Sequence, residues 1–528
     1  MVSQISKSSI KLPDLSSPQG LLSTLQALRQ TVESQGHTTF DQWRSHIQRF
    51  EFLSSALNLA EYLALRQHDL RALQAALMPW GLSSLGRIES RVMPNLDAVI
   101  ATLEVICGSQ SAQHLNRPPI EFFFEGDRLL QQNTEELFGQ SPSQRRVRIM
   151  VTLATEAATD YEMVRSMIQR GATCMRINCA HDTTELWQCM IDHIRRAEQE
   201  TGTPCKILMD LAGLKIRTAS VLAPHHKKRV FKGDQILLSR SEPQLDGEAE
   251  SGESIPSAVD QFQIGCTVPE ILDLLAVDTP VYIDDGKIQT RVVDTRYPMP
   301  DEQPGILLEV THASPKGVKL RPEKGLNFPD TVLPLSPLTE KDLSDLDFVA
   351  THADMIGYSF VQRPADIELL QHELDQRCGE RLTRPAIVAK IETAIAVANL
   401  PELIIYAAGK QAFGVMIARG DLAVEIGYPR LTEIQEEILW ICEAAHVPVI
   451  WATQVLDTLA RTGLPSRAEV TDAAVSGRAE CVMLNKGPYI DNAIEMLAGI
   501  LGRMQDHTQK KHSLLRELRA WDLEPVSE

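Results

Sequence analysis

The chain has 528 residues, 43% hydrophobic and 23% charged, with a net charge of −18 at pH 7. That length makes two to four domains with ample material for a core, and the acidic balance argues against general binding to nucleic acid or an anionic membrane. Nine cysteines without a CxxC pair read as reduced thiols, excluding a disulfide frame or zinc site. No apolar run reaches transmembrane length and the serine-rich start lacks a signal-peptide core, so a cytoplasmic protein is expected.

Residues 1 to about 18 read as a loose tail. From Gln19 to Gly108 the apolar spacing predicts four amphipathic helices, with Leu21, Leu22, Leu25 and Leu28 on one face, then Phe50–Leu65, Leu70–Leu77 and Arg87–Ile106. A small bundle serving docking or assembly is expected there. Residues 109 to 145, rich in Gln, Asn, Ser and Arg, read as a linker with one apolar island, Phe122-Phe-Phe124. From Arg146 short apolar runs alternate with amphipathic helices. Strands are predicted at Val147–Leu153, Thr173–Asn178, Cys205–Asp210, Asp354–Ser359, Ala386–Ile391, Gly414–Ala418, Pro448–Thr453 and Glu480–Leu484. Eight such strands favour an α/β fold of the (β/α)₈ barrel type over an open sheet. Between Asp210 and Asp354 the texture is β, and Asp285-Gly286 between alternating apolar runs marks a hairpin. The expected division is 1–145 helical extension and linker, 146–218 first part of the barrel, 219–316 inserted small β domain, 317–505 second part of the barrel, and 506–528 tail.

Chemistry concentrates at one end of these strands. Gly414–Ala418 runs into Arg419-Gly-Asp421, placing a carboxylate just past a strand end, where (β/α)₈ barrels carry their catalytic groups. Alone, Asp421 reads better as a helix-capping aspartate in a loop. The neighbouring strand offers Lys390 and Glu392, and two carboxylates beside a lysine suit Mg²⁺ or Mn²⁺, which take oxygen ligands completed by substrate and water. Arg176 after strand two could clamp phosphate bidentately or serve an ion pair. Asp210, Ser359 and Thr453 recur at the same end of strands three, four and seven.

Further motifs complete the pattern: Arg176-Ile-Asn178, Met209-Asp-Leu-Ala-Gly213, Ile216-Arg-Thr218, Ile283-Asp-Asp-Gly286, Lys324-Gly-Leu-Asn-Phe-Pro329, Lys390-Ile-Glu392, Met416-Ile-Ala-Arg-Gly-Asp421, Ala452-Thr-Gln454 and Pro465-Ser-Arg-Ala-Glu469. Taken in order from about Arg146 to Leu501, they make the chain resemble pyruvate kinase. The helical N-terminus is not part of the usual family chain. The sequence ends soon after the barrel, so the family's C-terminal regulatory domain is not expected.

The resemblance implies phosphoryl transfer from phosphoenolpyruvate to a nucleoside diphosphate. Glu392 and Asp421 would hold the divalent ion, Lys390 and Arg176 would neutralise the phosphoryl group, and Ser359 would lie beside them. Thr453 with the backbone at Gly420 and Asp421 would take the substrate carboxylate. Asn178, His181 and Arg217 match the nucleotide side, and the inserted domain would close as a lid. The expected partners are these substrates, with no nucleic acid, no membrane, and room for a homo-oligomer. Two departures stand out: Thr152-Leu-Ala-Thr-Glu156 on the adenine side, and Met483-Leu-Asn-Lys-Gly-Pro488, which lacks a serine that the family uses in proton delivery. A catalytically weak paralogue with a regulatory role and a Mg²⁺-dependent lyase acting on a 2-oxo acid are the competing readings. In the family K⁺ is held by an Asn, a Ser, an Asp and a Thr; here Asn178 and Asp210 stay, while Ala180 and Leu211 replace the other two. Lys215 stands at a nearby glutamate position. A K⁺-independent enzyme with Lys215 as tethered cation is expected, unless that side chain points to solvent.

Overall fold

The structure, a computed structural model, describes residues 15–83, 85–108, 117–224, 227–240, 261–299, 304–329, 331, 336–378, 384–510 and 512–513. Eight parallel strands close into a barrel: Arg148–Thr152, Cys174–Asn178, Lys206–Asp210, Met355–Tyr358, Ala386–Ile391, Phe413–Ala418, Val449–Ala452 and Cys481–Leu484. Each pairs with its sequence neighbours, and the eighth closes on the first with Arg148 opposite Cys481. All eight fall within one residue of the predicted ends. The reason is physical: parallel strands covered by helices are buried on both faces, so they read as unbroken apolar runs. The strand Phe413–Ala418 is buried at every position. Outer helices start at side-chain caps, as where Asp160 accepts from Met163 N at 3.0 Å and where Thr339 and Asp342 cap one another's backbone.

The N-terminal helices Pro18–Trp43, Leu53–Leu65, Arg71–Leu77 and Val92–Ile106 lie where the periodicity places them. The stretch read as a linker is different. Its residues 109–116 lie outside the described part, but Glu125–Phe138 is a helix, and its last residues Leu137 and Phe138 are 2% and 1% exposed. They pack against Met150, Cys174, Leu208 and Met416 in the floor of the barrel. A run such as Gln131-Gln-Asn133 makes the segment look like a linker, because its two deeply inserted side chains cluster at one end.

Polar ties fasten the extension to the barrel. Asn58 Nδ2 donates to Glu89 O at 2.8 Å and to Ala444 O at 2.7 Å, while its Oδ1 accepts from Val92 N at 2.9 Å. Every hydrogen-bonding group of that buried amide is thereby used except one lone pair. The His446 ring is held between Ser55 Oγ at 2.9 Å and Ser90 O at 3.1 Å.

The insert forms a sheet that contains Thr218–Leu222, Gln235–Ser239, Phe262–Cys266, Pro280–Ile283, Ile288–Tyr297, Gly305–His312 and Leu326–Asn327. It therefore starts and ends slightly outside the predicted 219–316. Its core is separate from the barrel's and includes Ile236, Phe262, Ile288 and Leu308. Asp284, Asp285 and Gly286 turn the hairpin with positive φ. A Cβ on Gly286 would stand 3.8 Å from Val424, so the hairpin tip lies close over the helix Arg419–Ile426. Asn327 Nδ2 also donates to Glu425 Oε1 at 3.0 Å. Of the predicted tails, 1 to about 18 and 506–528, residues 1–14, 511 and 514–528 lie outside the described residues; within the second, Thr508–Gln509 pairs with His512–Ser513 beyond the last helix.

Candidate active site

At the C-terminal end of the barrel five strands converge on one charged cluster. Lys390, from strand five, is the hub. Its Nζ donates to Ser359 Oγ at 2.7 Å and stands 3.3 Å from both Asp210 Oδ2 and Glu392 Oε1. Ser359 passes its own hydroxyl hydrogen to Leu211 O at 2.8 Å, so it aims the lysine. Arg176 reaches the same Asp210 oxygen through Nε at 2.9 Å and also through Nη2, and its Nη1 donates to Thr152 Oγ1 at 3.2 Å.

Electrostatics favours the charged forms of Asp210 and Lys390. Burial pushes Asp210 upward, but Lys390 and Arg176 outweigh it and hold the carboxyl below its ordinary value. Burial likewise lowers Lys390, and Asp210 with Glu392 outweighs it, so the ammonium persists. Glu392 is pushed up by burial; Lys390 opposes that shift and Asp421 adds to it. Glu392 and Asp421 therefore feel each other across the mouth. Phe360 N donates to Glu392 Oε2 at 2.7 Å, and Lys215 Nζ donates to Asp421 Oδ1 at 2.7 Å.

The Thr453-Gln454 turn completes the floor. Both residues have positive φ, 64° and 58°, a conformation that a β-branched residue adopts only when its surroundings impose it. Arg419 imposes it: its guanidinium grips Asp472 at 2.6 and 3.0 Å, the Ala452 carbonyl at 3.0 Å, and the Thr453 carbonyl. Thr453 Oγ1 is left buried without a hydrogen-bond partner, and a Cβ on Gly420 would lie 4.0 Å from it. This buried hydroxyl has an unmet hydrogen bond to give, beside the start of the helix Arg419–Ile426.

A family model for the pyruvate kinase barrel domain matches residues 144–492. Similar curated proteins include a pyruvate kinase of Methylorubrum extorquens, 31% identical over 69% of this chain and 69% of that protein. One of Thermococcus litoralis is 29% identical over 71% and 73%, and one of Dictyostelium discoideum is 27% identical over 72% and 71%. This chain belongs to the pyruvate kinase family.

Within this member of the pyruvate kinase family, the residues singled out in the sequence do not all gather in one place. Lys390, Glu392, Arg176, Ser359, Asp421, Lys215, Gly420 and Thr453 surround the mouth. Asn178 and His181 line an adjoining cleft with Arg176, Arg461 and Lys486. Arg217 stands apart at the root of the insert, where its Nη1 donates to Glu323 O at 3.1 Å. Arg419, Arg461 and Lys486 carried no assignment from the sequence. Arg419 could have been flagged as the arginine inside the strand-end motif; its partner Asp472, in a later helix, leaves no local signal. Among the described residues no three His, Cys, Asp or Glu side chains form a metal cage. Two opposed carboxylates nevertheless suit a hard divalent ion that shares its coordination with substrate and water.

Proposed function

We propose that this chain transfers the phosphoryl group of phosphoenolpyruvate to ADP or another nucleoside diphosphate, forming pyruvate and the triphosphate, as a glycolytic enzyme of the cytoplasm. The observation that carries the proposal is Lys390, a buried ammonium fixed by Ser359, Asp210 and Glu392 beside Arg176. The two cations meet the phosphoryl oxygens and stay in place while charge moves from the bridging oxygen to the acceptor. Thr453 and the backbone at Gly420 and Asp421 orient the substrate carboxylate. The nucleotide phosphates enter from the cleft of Asn178 and His181, where Arg461 and Lys486 add positive charge. Glu392 and Asp421 would hold Mg²⁺ or Mn²⁺, which supplies Lewis-acid neutralisation of substrate oxygens when bound. The hairpin of Asp284–Gly286 shields the mouth from water, a competing acceptor.

A lyase acting on a 2-oxo acid would need the carboxylates but would give Arg176 and the insert no task. Asn485 and Lys486, standing where the family has its serine motif, instead bear on how fast the enolate is protonated. The test is a lactate-dehydrogenase-coupled assay of the purified chain with phosphoenolpyruvate, ADP and Mg²⁺. Turnover that needs all three is expected. No pyruvate formation by a folded protein would overturn the proposal and leave the weak paralogue.

A further inference from the structure

A large cleft lies at the opposite end of the barrel from the catalytic mouth. It is enclosed by the helical extension, the segments entering the first and eighth strands, and the Thr508–Gln509 turn. Six basic side chains line it, Arg87, Arg91, Arg146, Arg148, Arg478 and Lys510, against three carboxylates. In a chain of net charge −18 this excess is anomalous. Half of the basic groups already have acidic partners: Arg91 pairs with Asp127, Arg478 with Glu436 and Lys510 with Glu480.

Arg146 and Arg148 have none among the described residues. Arg148 is 2% exposed and bonds only carbonyls, Gly139 O at 3.1 and 2.7 Å and Arg146 O at 2.9 Å. Arg146, exposed in the cleft, donates from Nη2 to Gln505 O at 2.7 Å and Thr508 O at 3.0 Å. Among the described residues its Nε and Nη1 make no hydrogen bond. Arg478 Nε is buried in the same wall without a partner. Burial lowers the Arg148 pKa, and the more distant Glu135 and Glu480 oppose that shift without reversing it. Beside these donors Phe124 is 49% exposed, with the Arg91 guanidinium 5.1 Å from its ring. The Arg146 fork without an anion, in one cleft with a half-exposed aromatic ring, matches a phosphate carried on an organic ring.

We propose that this cleft is a second ligand site, separate from the catalytic mouth, that binds a small phosphate monoester against Arg146. The bound phosphate bridges the extension, the barrel floor and the C-terminal turn, and so braces them together. The inference does not rest on the proposed reaction. A nucleoside monophosphate and a sugar phosphate offer the same phosphate chemistry; only the first adds a base for Phe124.

The test uses the full chain without divalent metal. AMP, ribose 5-phosphate and inorganic phosphate are titrated calorimetrically against the wild type, Arg146→Glu and, as a control outside the cleft, Arg165→Glu. Saturable binding of the monoesters is expected, weakened roughly tenfold or more by Arg146→Glu because a charge-assisted bond becomes a repulsion. It should be unchanged in Arg165→Glu. A tighter fit for AMP than for ribose 5-phosphate identifies a nucleotide; equal affinities identify a sugar phosphate. Circular dichroism checks folding, and Arg146→Gln repeats the comparison should Arg146→Glu misfold. No saturable binding, or binding equally strong in the folded Arg146 variants, overturns the proposal.

Discussion

Lys215 Nζ lies 2.7 Å from Asp421 Oδ1 and joins the loop after the third barrel strand to the helix after the sixth. The lysine is turned into the site and not toward solvent, with 24% of its side chain exposed. A tethered ammonium thus stands beside the carboxylate offered for the divalent ion. The geometry bears on the absence of two K⁺ ligands noted at Ala180 and Leu211.

The first prediction is independence of K⁺. Initial rates in tetramethylammonium buffer should not change when KCl replaces it at constant ionic strength. Lys215→Glu should lose rate and regain part of it with K⁺. Strong activation of the wild type by K⁺ would refute the role given to Lys215.

Lys390→Met and Asp421→Ala should each lower kcat by about 10²–10³, the usual loss for one preorganised charge-stabilising group. Both should keep the wild-type circular dichroism spectrum. Lys390→Met should also melt earlier, because Asp210 and Glu392 then lie buried without their shared cation. A folded variant with near-normal turnover would exclude the residue from the mechanism.

Thr453 separates substrate binding from chemistry. Its unpartnered hydroxyl is offered for the substrate carboxylate, so Thr453→Val should raise the KM for phosphoenolpyruvate by about 10-fold or more, the worth of a hydrogen bond to a charged group. Thr453→Ser should stay near the wild type. If Val and Ser behave alike, the hydroxyl does not touch substrate.

His446 gives stability a pH dependence. Burial lowers its pKa to about 4 from 6.5, so the unfolded chain takes the proton first as the solution is acidified. The contribution is complete above pH 6.5 and is lost as the pH falls from 6.5 to 4, on the order of 3 kcal/mol in all. Urea unfolding at pH 7 and at pH 4.5 should show the wild type losing more stability than His446→Gln. Equal losses would mean that other groups set the acid sensitivity.

The barrel was legible in the sequence because each strand is buried on both faces and ends in a polar residue at the mouth; Ala386–Ile391 followed by Glu392 is such a case. Lys390, Glu392 and Asp421 were legible for the same reason, since a charge at a strand end has no packing role. Arg419 was visible but its task was not: held by Asp472, it grips the Thr453 carbonyl, and no local spacing links the three. Leu137 and Phe138 were hidden by their polar neighbours, because what they fill is the floor of a barrel whose strands come later in the chain.

That last arrangement bears on the order of assembly. A ribosome releases Leu137 and Phe138 before any barrel strand, and domains made first generally fold first. The helix that carries these side chains can therefore stand ready as a seat on which Met150, Cys174, Leu208 and Met416 collect as each is synthesised. A barrel closes only when its last strand meets its first, which leaves sticky strand edges open throughout translation. An apolar plug present from the outset gives the incomplete sheet something to hold other than a neighbouring chain.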